Sequence, residues 1–530
     1  MIKLLYTYRK EMKNMKKIIS LLLAVAMMLS LAACGGNGSS DANLIETDLS
    51  KPVTIKWIMP GPGIQADSEM VWAKFNEELH KVEGFENVTV DIEVIPVADY
   101  AQKMILMQTS GEQMDIIQTY QLQYADEYRD GTIIDMTPYL EKYAKETLKE
   151  VPQWVIDMGK VDGGQAILPN YQKMVQSYNY VNIPAELAEY ADVEAMAESF
   201  MVNDKENGYI LSDNSKQLIT EYLSKVSAAG KLGKGYVTPF SLRGVEPIIN
   251  IFQYYYNDPD FTVVNAHLDA QQQGNWKFKK EMYDLGYVRK DALSAKNTDA
   301  DGIPNGNAMF PAQNIPGVFT TYLEEGTFDV PVVQIPAQNN HFVPYKPAAG
   351  GTAIPVNSQY PDVAAKIINL MNSSKGIELF NIMVYGIEGV HYTVEKEYEN
   401  GDKLISPEYA DEGNSSSKYG LWKWIVGNAK NAYLTVGQGE DYKETIYTNL
   451  NEGENTIPSP LMGFALDADS IEVKLTQIKS VSSEYGNPIG SGAADTEKLL
   501  AEMEEKYKLA GSDEIIAEIQ AQVDAFVKTK

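Results

Sequence analysis

Cysteine is almost absent from this sequence: Cys34 stands alone among 530 residues. That excludes an intramolecular disulfide and a thiolate metal cluster. Histidine is nearly as scarce. His80, His267, His341 and His391 lie far apart, without the spacing of a metal site. Positive charge is short as well, with 45 Lys and Arg against 73 Asp and Glu and a net charge of −28. Such a surface repels nucleic acid and anionic headgroups. There is no Gly-x-Ser-x-Gly elbow, no His-Glu-x-x-His, no P-loop and no internal repeat. The most apolar stretch, Ile18 to Ala33, has 16 residues. A membrane span needs roughly 20.

That short stretch has a different meaning. The basic pair Lys16-Lys17 precedes it and the small-residue segment Leu31-Ala32-Ala33-Cys34 closes it. Basic flank, apolar run and small-residue site make a secretory signal. With cysteine after the cut it resembles the lipobox of bacterial lipoproteins. The resemblance implies cleavage before Cys34, a diacylated thiol such as a palmitate-bearing one, and anchorage at the outer face of the cell membrane. Acyl chains hold there because each buried methylene contributes about 0.8 kcal/mol. Residues 1–33 are then a signal peptide, with translation expected to start at Met15 rather than Met1. Their loss takes six basic residues and one acidic one, so the counts fall from 45 and 73 to 39 and 72, a charge of −33. Residues 34–50, Gly/Ser/Asp-containing and without periodicity, read as a lipidated tether.

The body begins with alternation. Val53, Ile55, Trp57 and Met59 predict a strand whose inward side includes Trp57. A helix with inner face Val71, Phe75 and Leu79 follows, with Asp67 or Ser68 as its cap. Val88, Val90, Ile92 and Val94 alternate again. Tyr100, Met104 and Met107 have helical spacing, and Met114 to Thr119 is apolar. Strand–helix–strand–helix–strand predicts right-handed crossovers and a largely parallel sheet. Ligands on such sheets bind beyond the carboxyl ends of the strands, here 60–65 and 119–124. Two helices are expected over 185–231, broken near 203–215, and another over 276–286. The Phe252 to Tyr256 aromatics read as core packing or as a cleft wall. A strand at 350–356 and a helix carrying Val363, Ile367 and Leu370 follow, and further helices carry Leu475, Ile478, Ile519, Val523 and Phe526.

Several segments resemble extracellular solute-binding lipoproteins of ABC importers, family 1-like. They are Ser110-Gly111-Glu112-Gln113-Met114-Asp115, Gly131-Thr132-Ile133-Ile134-Asp135-Met136-Thr137-Pro138, and Val161-Asp162-Gly163-Gly164-Gln165-Ala166-Ile167-Leu168-Pro169. In the last, Ala166 stands where the family usually has tyrosine. Tyr385-Gly386-Ile387-Glu388-Gly389-Val390-His391-Tyr392 resembles a turn of the subgroup with an extra C-terminal domain of unknown function, found in Firmicutes lipoproteins. The region from about 405 to 530 resembles that extra domain. The resemblance implies an α/β, two-lobe periplasmic-binding-protein-like fold of type II, with mixed sheets flanked by helices and a hinge between lobes. Lobe 1 is expected over 51–172 plus 306–385, and lobe 2 over 173–305 plus 386–530. Crossings are expected near 170–180, 300–312 and 385–405.

The function implied is capture of a carbohydrate, an oligosaccharide, by a monomer and its delivery to the permease subunits of an ABC importer. No enzyme activity, cofactor, metal or nucleic acid is implied. The alternatives are a secreted glycoside-acting enzyme, since 72 acids make some carboxylate pair inevitable, and a binder of peptides or other non-sugar solutes. Sugars have an apolar ring face and a hydroxyl rim, so stacking aromatics with polar neighbours are the expected contacts. The candidate ligand-binding residues are Gln65 and Asp67 after the first strand and Tyr120 and Gln121 after the third. On lobe 2 they are Trp422 and Trp424, on opposite faces if extended, so that only one meets the ligand. Glu388, His391 and Tyr392 complete the set, Glu388 and His391 as a polar rim or, alternatively, as a structural turn bonded to each other or to the backbone.

Overall fold

The computed structural model describes residues 44–175, 180–206, 211–236, 244–256, 258–294, 307–312, 331–337, 340–408 and 418–529. Cys34 and its flanks therefore lie outside the described residues. Among those described, no helix is long and apolar enough to cross a membrane. Residues 46–530 form one unit, built on three main apolar cores.

The first core is organised by the Val53–Gly61 strand. It pairs in parallel with Val88–Pro96 on one side and Ile116–Gln118 on the other. Val53, Ile55 and Trp57 are buried by alternation, and from Trp57 to Gly61 every residue is buried. Continuous burial is what a parallel strand covered on both faces requires. Gly351–Ala353 and then Leu168–Pro169 extend the sheet antiparallel, so the sheet is mixed. The Ser68–Leu79 helix packs its Val71, Phe75 and Leu79 face onto it, and Pro361–Asn372 adds Val363, Ile367 and Leu370. All three parallel strands run the same way, so their carboxyl ends form one edge.

The second core centres on a four-stranded sheet, ordered 332–336, 180–184, 307–312 and 235–236. It is covered by the Val193–Glu206 and Asp213–Ala228 helices. The third joins the hairpin of Val245–Ile249 and Phe252–Tyr255 to the C-terminal helices Glu472–Gly490, Thr496–Leu509 and Ser512–Val527. The Ala270–Asp284 helix serves both, with Trp276 in the third core and Phe278 in the second. Of the Phe252–Tyr256 cluster, Phe252 and Tyr254 are fully buried.

Two expected boundaries change. The strands at 307–312 and 332–336 pair with Tyr180–Pro184, so that part of 306–385 belongs with the second lobe, not the first. Conversely, Tyr392, Ile405, Tyr419, Leu421, Ile425, Tyr433 and Tyr447 are buried in the first core, so 386–450 is not part of lobe 2. Apolar periodicity says that a segment is buried but not against which partner. The return crossing accordingly includes 340–350 rather than 300–312, and the last is 451–460 rather than 385–405. These two connections meet as a parallel pair, His341–Val343 with Thr456–Pro458.

At the edge of the third core a half-buried histidine titrates against folding. His267 Nδ1 lies 2.7 Å from Tyr507 Oη, with Trp276 against its ring. Burial pushes its pKa down from 6.5 to about 4. The neutral ring is therefore a stabilising state above pH 6.5 that is lost as the pH falls toward 4. The expected loss is about 2–3 kcal/mol. Urea unfolding at pH 7.5 and 4.5 should show it, and His267→Gln should have a shallower slope over that interval.

Candidate functional site

The carboxyl edge of the first sheet carries a cluster of aromatic rings. Tyr120 follows the Ile116–Gln118 strand, and its ring meets Trp424 edge-on at 5.1 Å and 72°. Trp424 in turn stacks on Trp422 at 5.3 Å and 17°. All three are half-buried, and Gln121 beside them is exposed. The tryptophans do not point to opposite faces. The chain is extended at Trp422 and turns helical over Lys423–Val426, which brings the two rings together. Nor do they belong to lobe 2, because Leu421 before them and Ile425 and Val426 after them fill the first core.

What fixes this strip is a set of polar side chains at the strand ends. Gln65 Oε1 accepts the Gly420 N–H at 3.1 Å, and the Asp67 N–H donates to Lys418 O at 3.0 Å. Gln118 Nε2 donates to Ile425 O at 3.0 Å, and Asn170 Nδ2 donates to Trp424 O at 2.9 Å. Tyr419 Oη donates to Met383 O at 2.7 Å. Buried backbone groups must be paired, and satisfying them from three strand ends pins the strip in one place. The Tyr120 turn is likewise fixed. Gln118 Oε1 accepts the Tyr120 N–H, the Leu122 N–H closes on Thr119 O, and Gln121 sits at φ +65°. A non-glycine residue held in the left-handed region costs of order 1–3 kcal/mol, and such strain clusters at ligand sites.

The other expected residues have structural places. Gln65 is 5% exposed, so it positions Gly420 and does not face solvent. Asp67 makes no cap to its helix. Its carboxylate instead lies 3.3 Å from His391 Nε2. His391 is 2% exposed and accepts the Ile387 N–H on Nδ1 at 3.0 Å. With Nδ1 accepting, the ring proton sits on Nε2 and points at Asp67. Tyr392 is buried against Tyr385 and Tyr433. Glu388 is exposed and paired with Lys403 at 3.0 Å. Glu388 and His391 therefore do not form a polar rim together: His391 and Tyr392 are buried in a turn, Tyr385–Tyr392, that locks the first core, and Glu388 lies on its outside. Gln118 and Asn170, which sequence reasoning passed over, are both buried at strand ends. Their signal was a carboxamide closing an apolar run. Among the described residues no cluster of His, Cys, Asp and Glu is arranged to hold a metal.

A model of the family described as "Domain of unknown function (DUF3502)" matches residues 460–528. Over 532 aligned residues the chain is 24% identical to a "Carbohydrate ABC transporter substrate-binding protein" of Streptococcus pneumoniae serotype 4, covering 98% of this chain and 100% of that one. The N-glycan transport solute binding protein (NgtS) of Streptococcus pneumoniae superposes with a TM-score of 0.70 at 20% identity. That match covers 90% of this chain and 99% of the other. Its crystal structure with Man5GlcNAc gives 0.60 at 21% identity, over 91% and 99%.

The fold is that of a two-lobe solute-binding protein.

Ligands on open α/β sheets bind beyond the carboxyl ends of the strands. The Tyr120–Trp424–Trp422 strip lies at that edge of the first sheet. The segment matched at 460–528 supplies the third core's residues from Leu461 to Val523.

Proposed function

We propose that this is an extracellular solute-binding protein that captures an oligosaccharide and delivers it to the permease of an ABC importer. The observation that carries this reading is the aromatic strip at the carboxyl edge of the first sheet. Flat apolar faces next to exposed polar groups suit pyranose rings, whose two sides are apolar and whose rim is hydroxylated. The carbohydrate relative and the glycan-bound structure support the same solute class. The protein binds its solute without converting it. Closure follows from contacts made to both lobes at once, which shift the population toward the closed form.

We further propose that Cys34 carries the lipid that holds the protein at the outer face of the cell membrane. The arrangement of Leu31 to Cys34 after a basic pair and a short apolar run supports it. Cys34→Ser should then release the protein into the soluble fraction of a Gram-positive host. Retention in the membrane pellet after detergent-free washing sinks the anchoring proposal.

The solute is tested by thermal shift of the chain from residue 41 onward against oligomannose glycans, fructans, uronides, peptides and polyamines. A true ligand at 100 times its Kd stabilises by about 2.7 kcal/mol. Stabilisation by peptides or polyamines alone would overturn the carbohydrate reading. New reducing ends in the glycan samples would overturn the non-enzymatic one.

A further inference from the structure

Where the two connections between the cores meet, a carboxylate is completely buried. Glu246, 1% exposed, lies on the Val245–Ile249 strand. One of its oxygens accepts the Tyr345 N–H at 2.8 Å, and the other accepts Tyr254 Oη–H at 3.0 Å. Tyr254 Oη is also 2.8 Å from Ser459 Oγ. Tyr345 belongs to the 340–350 connection and Ser459 to the 451–460 connection. The same hairpin holds the first of them twice more, through Tyr256 Oη–H to Val343 O at 3.0 Å and Tyr345 Oη–H to Ile248 O at 3.1 Å. The connections bond each other as well, Ser459 N–H to Val343 O at 2.9 Å. One acid thus ties both passages of the chain to the third core.

We propose that Glu246 is a positioning residue whose protonation state sets how tightly the hinge connections are held. Each hydroxyl has one proton, which fixes the logic. When Glu246 is ionised, Tyr254 donates to it and Ser459 donates to Tyr254, so a charge-assisted chain runs from the acid to the second connection. When Glu246 takes a proton from water, its own O–H must donate, and Tyr254 is the neighbouring acceptor. Tyr254 then turns its proton to Ser459 Oγ, which already accepts the Leu461 N–H at 3.1 Å. The chain reverses and loses its charged acceptor. Bonds to a charged group are roughly twice as strong as neutral ones.

The surroundings place this exchange in a physiological range. Burial pushes the carboxyl pKa up to about 7, against the pull of Ser459, Tyr345, Tyr256 and Tyr254. The groups facing it are Tyr254 and Tyr256 from the hairpin, Tyr345 and Lys346 from the first connection, and Ser459 from the second. The three tyrosines are themselves pushed upward by burial and stay neutral. Lys346 favours the ionised acid, and its own pKa is lowered by burial. The proposal holds for any solute.

The test needs no ligand, so its failure leaves the carbohydrate reading untouched. Small-angle scattering of the ligand-free protein should change between pH 5.5 and 8.5 with a midpoint near 7, the low-pH form sampling the wider range of interlobe distances. Glu246→Gln should abolish the change and resemble the low-pH wild type. Ser459→Ala, which removes a bond to the ionised form, should move the midpoint to higher pH. A wild-type profile flat with pH overturns the proposal, as does a folded Glu246→Gln protein that titrates unchanged. Should Glu246→Gln fail to fold, the Ser459→Ala midpoint decides, and an unmoved midpoint counts against the proposal.

Discussion

Truncation of Trp424 to alanine is expected to weaken solute binding by roughly 1–3 kcal/mol, about 5- to 150-fold in Kd, by analogy with bases stacked on aromatic side chains. Trp424 touches both Tyr120 and Trp422, so its loss should cost at least as much as Trp422→Ala or Tyr120→Ala. It should also be non-additive with each, because the remaining rings lose their support. Calorimetry with the glycan identified by thermal shift, together with circular dichroism on each variant, measures this. Unchanged affinity in all three folded variants removes the strip from the site, although the protein could still bind the same sugar elsewhere.

The second large effect concerns stability. Gly386 ends the Ile377–Tyr385 helix at φ +86° and ψ −139°, a region essentially closed to residues with a side chain. A Cβ there would stand 2.7 Å from His391 Nδ1, the atom that accepts the Ile387 N–H. Gly386→Ala must therefore strain the backbone and displace a buried imidazole from two partners. The expected loss is about 2–4 kcal/mol. Gly389 provides the control. It also has positive φ, but a Cβ there meets nothing within 4 Å. Gly389→Ala should cost only the backbone share, about 1–2 kcal/mol. Urea denaturation of the two variants separates strain from collision, and equal losses would show that the His391 contact carries no weight.

Much of the first lobe was legible because its signals are local. The alternation of Val53 to Met59 and of Val88 to Val94, and the helical spacing of Val71, Phe75 and Leu79, depend only on neighbours in the chain. The placement of Tyr120 beyond a strand end followed from the same reading. The rest depends on partners far away in sequence. Nothing in Trp422-Lys423-Trp424 says that its backbone is held by Gln118 and Asn170, some 300 and 250 residues earlier. Polar residues misled for a related reason. Gln65 and His391 look like ligand contacts in the sequence, yet both are spent on buried backbone N–H groups. A polar side chain shows what it can bond, and only the fold shows whether water or a solute still reaches it.

The crossed connectivity also constrains the order of events during folding. The first core needs residues from Val53 to Leu450, and the ribbon of His341–Val343 with Thr456–Pro458 closes over more than a hundred residues. Contacts of such long sequence separation form slowly, since loop closure must be met before they bring any gain. The amino-terminal third therefore cannot finish its core while the chain is still emerging. It waits, with apolar strands exposed, until the last quarter arrives. A molecule built this way depends on protection until its chain is complete, and late truncations should aggregate rather than yield a stable first lobe.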